Sequence, residues 1–326
     1  MIPSPALATW LADPDAQRAS FDAVQASAAK WGRHPLMTQL ERAIVELPEK
    51  TPQAILAAAD TFMDKMDDIE ALFADLIAGS RADPFFRPPI YPLSSEIHSG
   101  LLLFHNAHLS LALGVAGVDQ LATKKLAQRG VGSIGFNGLL TKFRYLKAGD
   151  AILSFWEAPA MGDDFVAADA GKARFVERRQ IRDGDEVVID GRHQSFVIEH
   201  AARDMVYFQA MVRQGGAPVT AEYDRESLSF LSASSTDEAS SRVQMMVSLL
   251  RVMEREDALP LMIEALDSPQ FYTRWHVMRE MLALDAEGAL PSLRRLAASD
   301  PHPEVRAAAG QTLRLFFEEE TAACPA

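Results

Sequence analysis

Eight histidines, at 34, 98, 105, 108, 193, 200, 276 and 302, are the side chains of this 326-residue sequence with the widest chemical reach. Imidazole nitrogen is the commonest ligand for Zn, Fe or Cu, and three converging rings suffice for an open catalytic metal site. His98, His105 and His108 fall in one segment and His193 closes the run GDEVVIDGRH, so these four are candidate ligands for a divalent transition metal, Fe or Zn. On a strand, successive side chains point to opposite faces. His98, His108 and Glu96 would then share a face, as would His193 and Glu199 on their own strand, while His105 would join the first group only at a bulge. Glu96 would serve as a further ligand or base. The same region also supports a purely organic pocket. Phe143, Tyr145, Phe155, Trp156, Phe196, Tyr207 and Phe208 supply apolar walls, and His193 with Arg192 supplies a polar end. His193, Arg192, Trp156, Tyr145 and Tyr207 are the expected ligand contacts. The competing outcome is that the aromatics fill a core and the histidines are satisfied within it.

A basic cluster, Arg174, Arg178, Arg179, Arg182 and Arg192, with Lys124, Lys125 and Arg129 before it, suits a small anionic ligand, the acidic helices of the same chain, or a solvated strand face. The net charge of −13 argues against nucleic acid and anionic lipid as partners. Gly130-Val131-Gly132-Ser133-Ile134-Gly135 is a literal GxGxxG, but it precedes a strand pattern instead of linking a strand to a helix, so it fails as a dinucleotide loop. No Walker A, HExxH or GxSxG run occurs, and the one cysteine, Cys324, has no disulfide partner in the chain. The N-terminus lacks the pattern of a signal peptide. Gly100 to Val118 is mostly apolar, yet it contains His105, Asn106 and His108, which reads as a buried segment rather than a membrane span. A cytoplasmic protein is expected.

The elements that would position these residues fall into three parts. Residues 1–82 read as helical, with Thr51-Pro52 a helix start and Ile55, Ala59, Phe62, Met66, Ile69, Phe73 and Leu76 one apolar stripe on a long amphipathic helix. The Pro-rich run ADPFFRPPIYP ends that part. Between 90 and 215 the period changes to two. Short β-branched and aromatic runs at 141–146, 151–156, 175–181, 186–189, 195–199 and 205–212 are punctuated by Gly-Asp pairs at 149–150, 162–163 and 184–185, which predicts hairpins of an antiparallel β-sandwich. The Ser-rich stretch 217–240 reads as a linker. Beyond it, 236–320 is helical and repetitive, ending in a solvated Glu318-Glu319-Glu320 tail. Arg242, Arg274 and Arg306 stand at a constant interval of 32 residues, and the apolar positions around them recur with them. Self-similarity at this period marks a solenoid of stacked helical pairs.

Asp300-Pro301-His302-Pro303-Glu304-Val305-Arg306-Ala307-Ala308-Ala309 resembles the turn and second helix of a HEAT repeat, and the likeness runs from about 236 to 317. The resemblance implies that Asp300 and Arg306, six residues apart, help tie successive repeats together. Arg242 and Arg274 take the same role in earlier units, where Thr236 and Ser268 stand at the turn position. It further implies a protein partner bound through the helices. Gly184 to His193 is similar to the second motif of cupins, a Gly-Asp turn followed by an apolar strand, a Gly and a His. The Pro before the Gly is missing, the Gly-to-His spacing is one residue short, and His105-x-x-His108 replaces the upstream HxH. The expected architecture is therefore α+β: N-terminal helices, a central cupin-like β-sandwich and a C-terminal HEAT-like α-solenoid. Two functions fit it. One is binding of a small ligand or peptide by the β region, coupled to protein interaction by the repeats. The other is a metal-dependent cupin-type oxygenase or isomerase acting on a small anionic substrate.

Overall fold

In a computed structural model the described residues, 4–95, 97–128, 132–162 and 164–317 (backbone only at 125–128), form eleven α-helices and twelve β-strands. Glu96, Arg129, Gly130, Val131, Asp163, Glu318, Glu319, Glu320 and Cys324 lie outside the described residues, as does the Lys125 side chain.

The first four helices share one start signal, a proline directly after a capping residue. α1 (Pro5–Leu11), α2 (Pro14–Gly32), α3 (Pro35–Val45) and α4 (Pro52–Met63) are capped by Ser4, Asp13, His34 and Thr51, whose side chains accept from first-turn N–H groups. Proline costs nothing there, because the first N–H groups of a helix have no intrahelical acceptor. The expected single long helix is instead two, α4 and α5 (Met66–Ala82). Lys65 leaves the helical conformation, and Asp67 and Asp68 occupy the first turn of α5, where carboxylates favour the helix dipole. The apolar stripe survives the break, with Ile55, Ala59, Phe62, Ile69 and Leu76 all buried.

These helices cover one face of a six-stranded antiparallel sheet. Its order is β1 (Tyr91–Ser94), β2 (His98–His105), β3 (Leu109–Ala116), β10 (Met205–Val212), β5 (Leu140–Lys147) and β8 (Glu186–Asp190). Leu109, Leu111, Phe208, Ala210 and Val212 join Leu40, Ile44, Ile55 and Phe62 in one core. A charged clamp pins the layers: Lys142 on β5 donates to Asp60 at 2.6 Å and meets Glu186 at 2.8 Å, and Arg144 donates to Asp64 at 2.6 Å. Pro92 lies on β1, an edge strand, where a missing ladder donor is tolerated.

The other face of the sheet carries Phe143, Tyr145 and Tyr207. They share a second core with Leu153 and Ile198 from a three-stranded sheet ordered β7 (Arg174–Gln180), β6 (Ile152–Glu157), β9 (Gln194–His200). The strands fall on the alternating runs, but the Gly-Asp turns do a different job from the expected hairpins. Gly149-Asp150 carries the chain from β5 in one sheet to β6 in the other, and Gly184-Asp185 carries it back from β7 to β8. Gly149 has φ +61°, and a Cβ there would stand 2.2 Å from the Arg203 carbonyl oxygen, so only glycine fits. The sheets are open, so what stands is a set of antiparallel sheets sharing cores, not a closed sandwich.

Two further segments depart from expectation. The stretch 217–240 is not a linker: it contains β11 (Val219–Asp224) and β12 (Phe230–Ser235), which form a third sheet ordered β12, β11, β4 (Ser133–Phe136). Val219, Ala221 and Tyr223 alternate inward against Phe136 and Trp156, and that burial outweighs the Ser-rich composition. Gly100 to Val118 is the β2–β3 hairpin and its turn, and among the described residues no helix is long and apolar enough to cross a membrane. The C-terminal part is helical: α7 (Glu238–Val252), α8 (Leu259–Ala265), α9 (Phe271–Leu284), α10 (Ala286–Ser299) and α11 (Pro303–Phe316), packed around Val277, Met278, Met281 and Leu293.

Candidate functional site

A cavity of about 480 Å³ opens on the inner face of the six-stranded sheet, between β2, β5 and β10 on one side and β4 and β9 on the other. Strand alternation decides what enters it. Tyr207 and Gln209 on β10 face the cavity, whereas Phe208 between them points into the helix-covered core. His98 reaches it from β2, Phe143 from β5, Gln194 and Phe196 from β9, and Lys124 from α6 (Val118–Gln128).

The central contact joins the Tyr207 hydroxyl and His98 Nδ1 at 2.7 Å, with β3 lying between their strands. Gly114 makes this possible. It stands opposite Tyr207 in the β3–β10 register, and a Cβ on it would lie 2.7 Å from the Tyr207 ring. With no side chain there, the ring lies across β3 and its hydroxyl reaches β2. Burial, reinforced by the charge of Lys124, holds the His98 imidazole below its ordinary pKa. Burial pushes the Tyr207 phenol up to about 12. Both groups are therefore neutral near pH 7. If the phenol donates to Nδ1, Nε2 carries the proton and presents a donor; the other tautomer presents an acceptor.

On the opposite side Arg225 donates to both oxygens of Glu199, at 2.5 and 2.6 Å. Glu199 also accepts from the Ser154 hydroxyl at 2.5 Å, which in turn accepts from Trp156 Nε1 at 3.1 Å. Burial pushes the Glu199 carboxyl up, but the bonds from Ser154 and Arg225 outweigh it and hold the group below its usual range. The guanidinium is thus fixed at the cavity wall by a network rooted in β6. Arg225 lay in the stretch that reads as a linker, and no local signal marks it. The sequence signal at Glu199 is its shared parity with His193.

Of the five expected ligand contacts, Tyr207 lines the cavity. Tyr145 is buried in the shared core, and Trp156 packs against Phe136 and Tyr223. His193 and Arg192 sit in the turn between β8 and β9, where Arg192 is held by Asp190 at 2.9 and 2.6 Å, while the next residue, Gln194, enters the cavity. The four candidate metal ligands are not brought together. His105 Nε2 accepts from Arg213 at 2.6 Å and its Nδ1 meets Ser110 at 2.9 Å, so both ring nitrogens are engaged. His108 is in the hairpin turn, bonded to Gln214 at 3.0 Å. His193 Nδ1 lies 3.8 Å from Asp190. Among the described residues no group of three or more His, Cys, Asp or Glu is arranged to hold a metal ion. The arginines of β7 are on an exposed edge strand, with Arg174 paired to Glu157 and Arg179 over the Phe155 ring at 4.8 Å. A charged edge of this kind blocks strand addition.

In the helical region Arg274 is buried and bonded to two turns. It donates to both oxygens of Asp300 at 2.7 Å and to the carbonyls of Ser268 and Pro269 at 3.0 Å each. Arg306 repeats the second half of this pattern, donating to the carbonyls of Asp300 at 2.5 Å and Pro301 at 3.0 Å. Arg242 departs from it and pairs with Glu238 on its own helix. The reason is the residue one repeat ahead: position 268 is Ser where Asp300 stands in the next unit, so Arg242 has no carboxylate there to reach.

The family model for HEAT repeats matches residues 224–314. No curated protein matches the chain. Among solved structures, an ectoine synthase from P. lautus is 9% identical, covering 37% of this chain and 68% of its own, with a TM-score of 0.24. CapF with the inhibitor 3-isopropenyl-tropolone is 11% identical over 55% of this chain and 42% of its own, TM-score 0.24. The 7S globulin of Momordica charantia is 9% identical over 41% of this chain and 35% of its own, TM-score 0.24. Likenesses at this level carry no argument about the β region.

Proposed function

We propose that the β region binds a small organic acid in the cavity beside His98 and Tyr207, and that the HEAT-like helices present that region to a protein partner. The single observation that carries the first half is the neutral His98–Tyr207 pair at 2.7 Å, in a cavity that also receives Lys124 and Arg225. Ile97, Phe143, Ile189, Phe196 and Ile198 supply an apolar wall for a carbon skeleton, while the two cations and His98 suit a carboxylate. Gln194 and Gln209 add donors and acceptors that discriminate among polar substituents. Glu222, exposed at the rim, disfavours a second negative group on that side. In this reading the facing sheets are a cupin-like sandwich variant, the helices a short solenoid, and the setting cytoplasmic. Metal-dependent oxygenase or isomerase chemistry is the weaker reading, because the four histidines have separate partners.

The second half rests on the HEAT repeat match, since such repeats generally mediate protein interactions. A cleft of about 760 Å³ between β11–β12 and the helices, walled by Phe230, Tyr272 and Trp275, is the surface offered to the partner. The test of the first half is a thermal-shift screen with small mono- and dicarboxylates. At least one should raise the melting temperature of the wild-type chain, and His98→Ala and Arg225→Met should each abolish that rise. Hits that persist in both variants would place the ligand elsewhere.

A further inference from the structure

The stacking helices leave one face in an unusual state. Met245, Met246, Leu249, Val252 and Met253 on and just after α7 are between 54% and 66% exposed. Their spacing puts them on a single helical stripe. The 32-residue repeat shows what that stripe is for. Its counterparts on α9, Val277, Met278 and Met281, are 0% exposed, packed within the core with Met262 and Leu293. The opposite side of α7 already rests on α9 through the buried Val247 and the Arg251–Glu280 pair. In the later units a helix precedes each equivalent of α7, α8 before α9 and α10 before α11, whereas β12 precedes α7 itself. The position of an antiparallel neighbour is therefore open, and terminal repeats ordinarily show a polar outer face, not a methionine-rich one.

We propose that a second copy of this chain fills the position, its α7 lying antiparallel to the first across a two-fold axis at Leu249. The stripe is symmetric about that residue. Met246 and Val252 stand three residues to either side of it, and Met245 and Met253 four, Val252 being the last residue of α7 and Met253 its cap. A two-fold axis through Leu249 sets Leu249 on Leu249 and each apolar side chain on an apolar one. That is the self-complementarity an isologous interface requires. Methionine adapts its shape readily, which suits a small helix–helix contact. The inference is independent of the ligand assigned to the β cavity.

The experiment is sedimentation velocity on the full chain across a concentration series, with register tested by cross-linking. The wild-type chain should sediment as a dimer. Leu249→Glu should halve the apparent mass while leaving circular dichroism and the melting profile of the monomer intact, since the position is exposed. In a Cys324→Ser background, Leu249→Cys should form a covalent dimer under mild oxidation. A mixture of Met245→Cys and Met253→Cys chains should do the same, and Met245→Cys alone should not. A wild-type chain that stays monomeric throughout, a dimer indifferent to Leu249→Glu, or cross-links in another register would overturn the proposal.

Discussion

Replacing Arg274 by Ala removes the most enclosed ion pair of the helical region, and its cost can be worked from the geometry. The Arg274 and Asp300 side chains are 8% and 1% exposed, and two bonds of 2.7 Å join them. A charged hydrogen bond in ordinary surroundings contributes about 1.5–3 kcal/mol. Breaking a buried pair costs more, about 3–5 kcal/mol, because the remaining charge is left without a partner in a poorly solvating site. Asp300 would retain the His302 N–H at 2.8 Å, and the carbonyls of Ser268 and Pro269 would lose their donor. We therefore expect Arg274→Ala to destabilise the helical region by about 3–5 kcal/mol. Arg242→Ala, which removes only an exposed pair within one helix, should cost about 0.3–0.5 kcal/mol. The assay is urea denaturation followed by Trp275 fluorescence with the other three tryptophans, Trp10, Trp31 and Trp156, replaced by Phe. Acid supplies a second readout. Burial pushes the Asp300 carboxyl up, but the bonds from Arg274 outweigh it and hold the group below its ordinary value. Its contribution is thus present above that value and lost as pH falls through the depressed folded one. In Arg274→Ala nothing holds that carboxyl down against burial, so this part of the acid-side loss should vanish and the stability gap to wild type should narrow as pH falls. If Arg274→Ala proves as mild as Arg242→Ala, the bracing argument is wrong.

Other consequences can be measured on the same protein. The stability that neutral His98 contributes is fully present above its ordinary pKa of 6.5 and is lost as pH falls through its lowered folded value, so His98→Gln should flatten the melting-temperature profile on the acid side of that point. A profile identical to wild type would show that His98 is not desolvated. Gly114→Ala should displace the Tyr207 ring and break its bond to His98, seen as loss of carboxylate-induced stabilisation with the fold retained by circular dichroism; unchanged stabilisation would deny the role of the bond. Lys142→Ala should loosen the N-terminal helices from the sheet at a cost of about 1–3 kcal/mol, read by hydrogen exchange at α4. Undiminished protection there would mean that apolar packing alone holds the layers.

How much of this was legible depended on whether a residue's surroundings are local. Strands β5 to β10 are readable because short β-branched and aromatic runs recur between turn signals, although only some, such as β8, alternate in burial and β7 is exposed along its whole length. β3 is not readable, since Leu109 and Leu111 face the helices while its other face lies inside the β region, which leaves no alternation to read. β12 is mostly exposed and serine-rich, so composition pointed to a linker although the backbone pairs with β11. The helix break at Lys65 leaves no mark in the pattern because the apolar stripe continues across it. The repeat and the HEAT resemblance mark Arg274 and Asp300 as positions, but the pairing they imply is Asp300 with Arg306; the contact of Arg274 with the Asp300 carboxylate spans 26 residues and no spacing displays it. Residue type marks His98 and Tyr207 separately, and nothing in the sequence joins them as a pair. Their contact spans 109 residues and depends on an empty space above Gly114, which no spacing rule displays. His193 was preferred for its motif, but it sits one residue outside β9, and Gln194 takes the inward position.

The most direct measurement is side-chain ¹⁵N NMR of the histidine rings, recorded while the carboxylate that most raises the melting temperature is titrated in. The account predicts that the Nδ1 and Nε2 resonances of His98 shift saturably while those of His105, His108 and His193 stay in place. Resonances of His98 that do not move, or a saturable shift confined to His193, would contradict it.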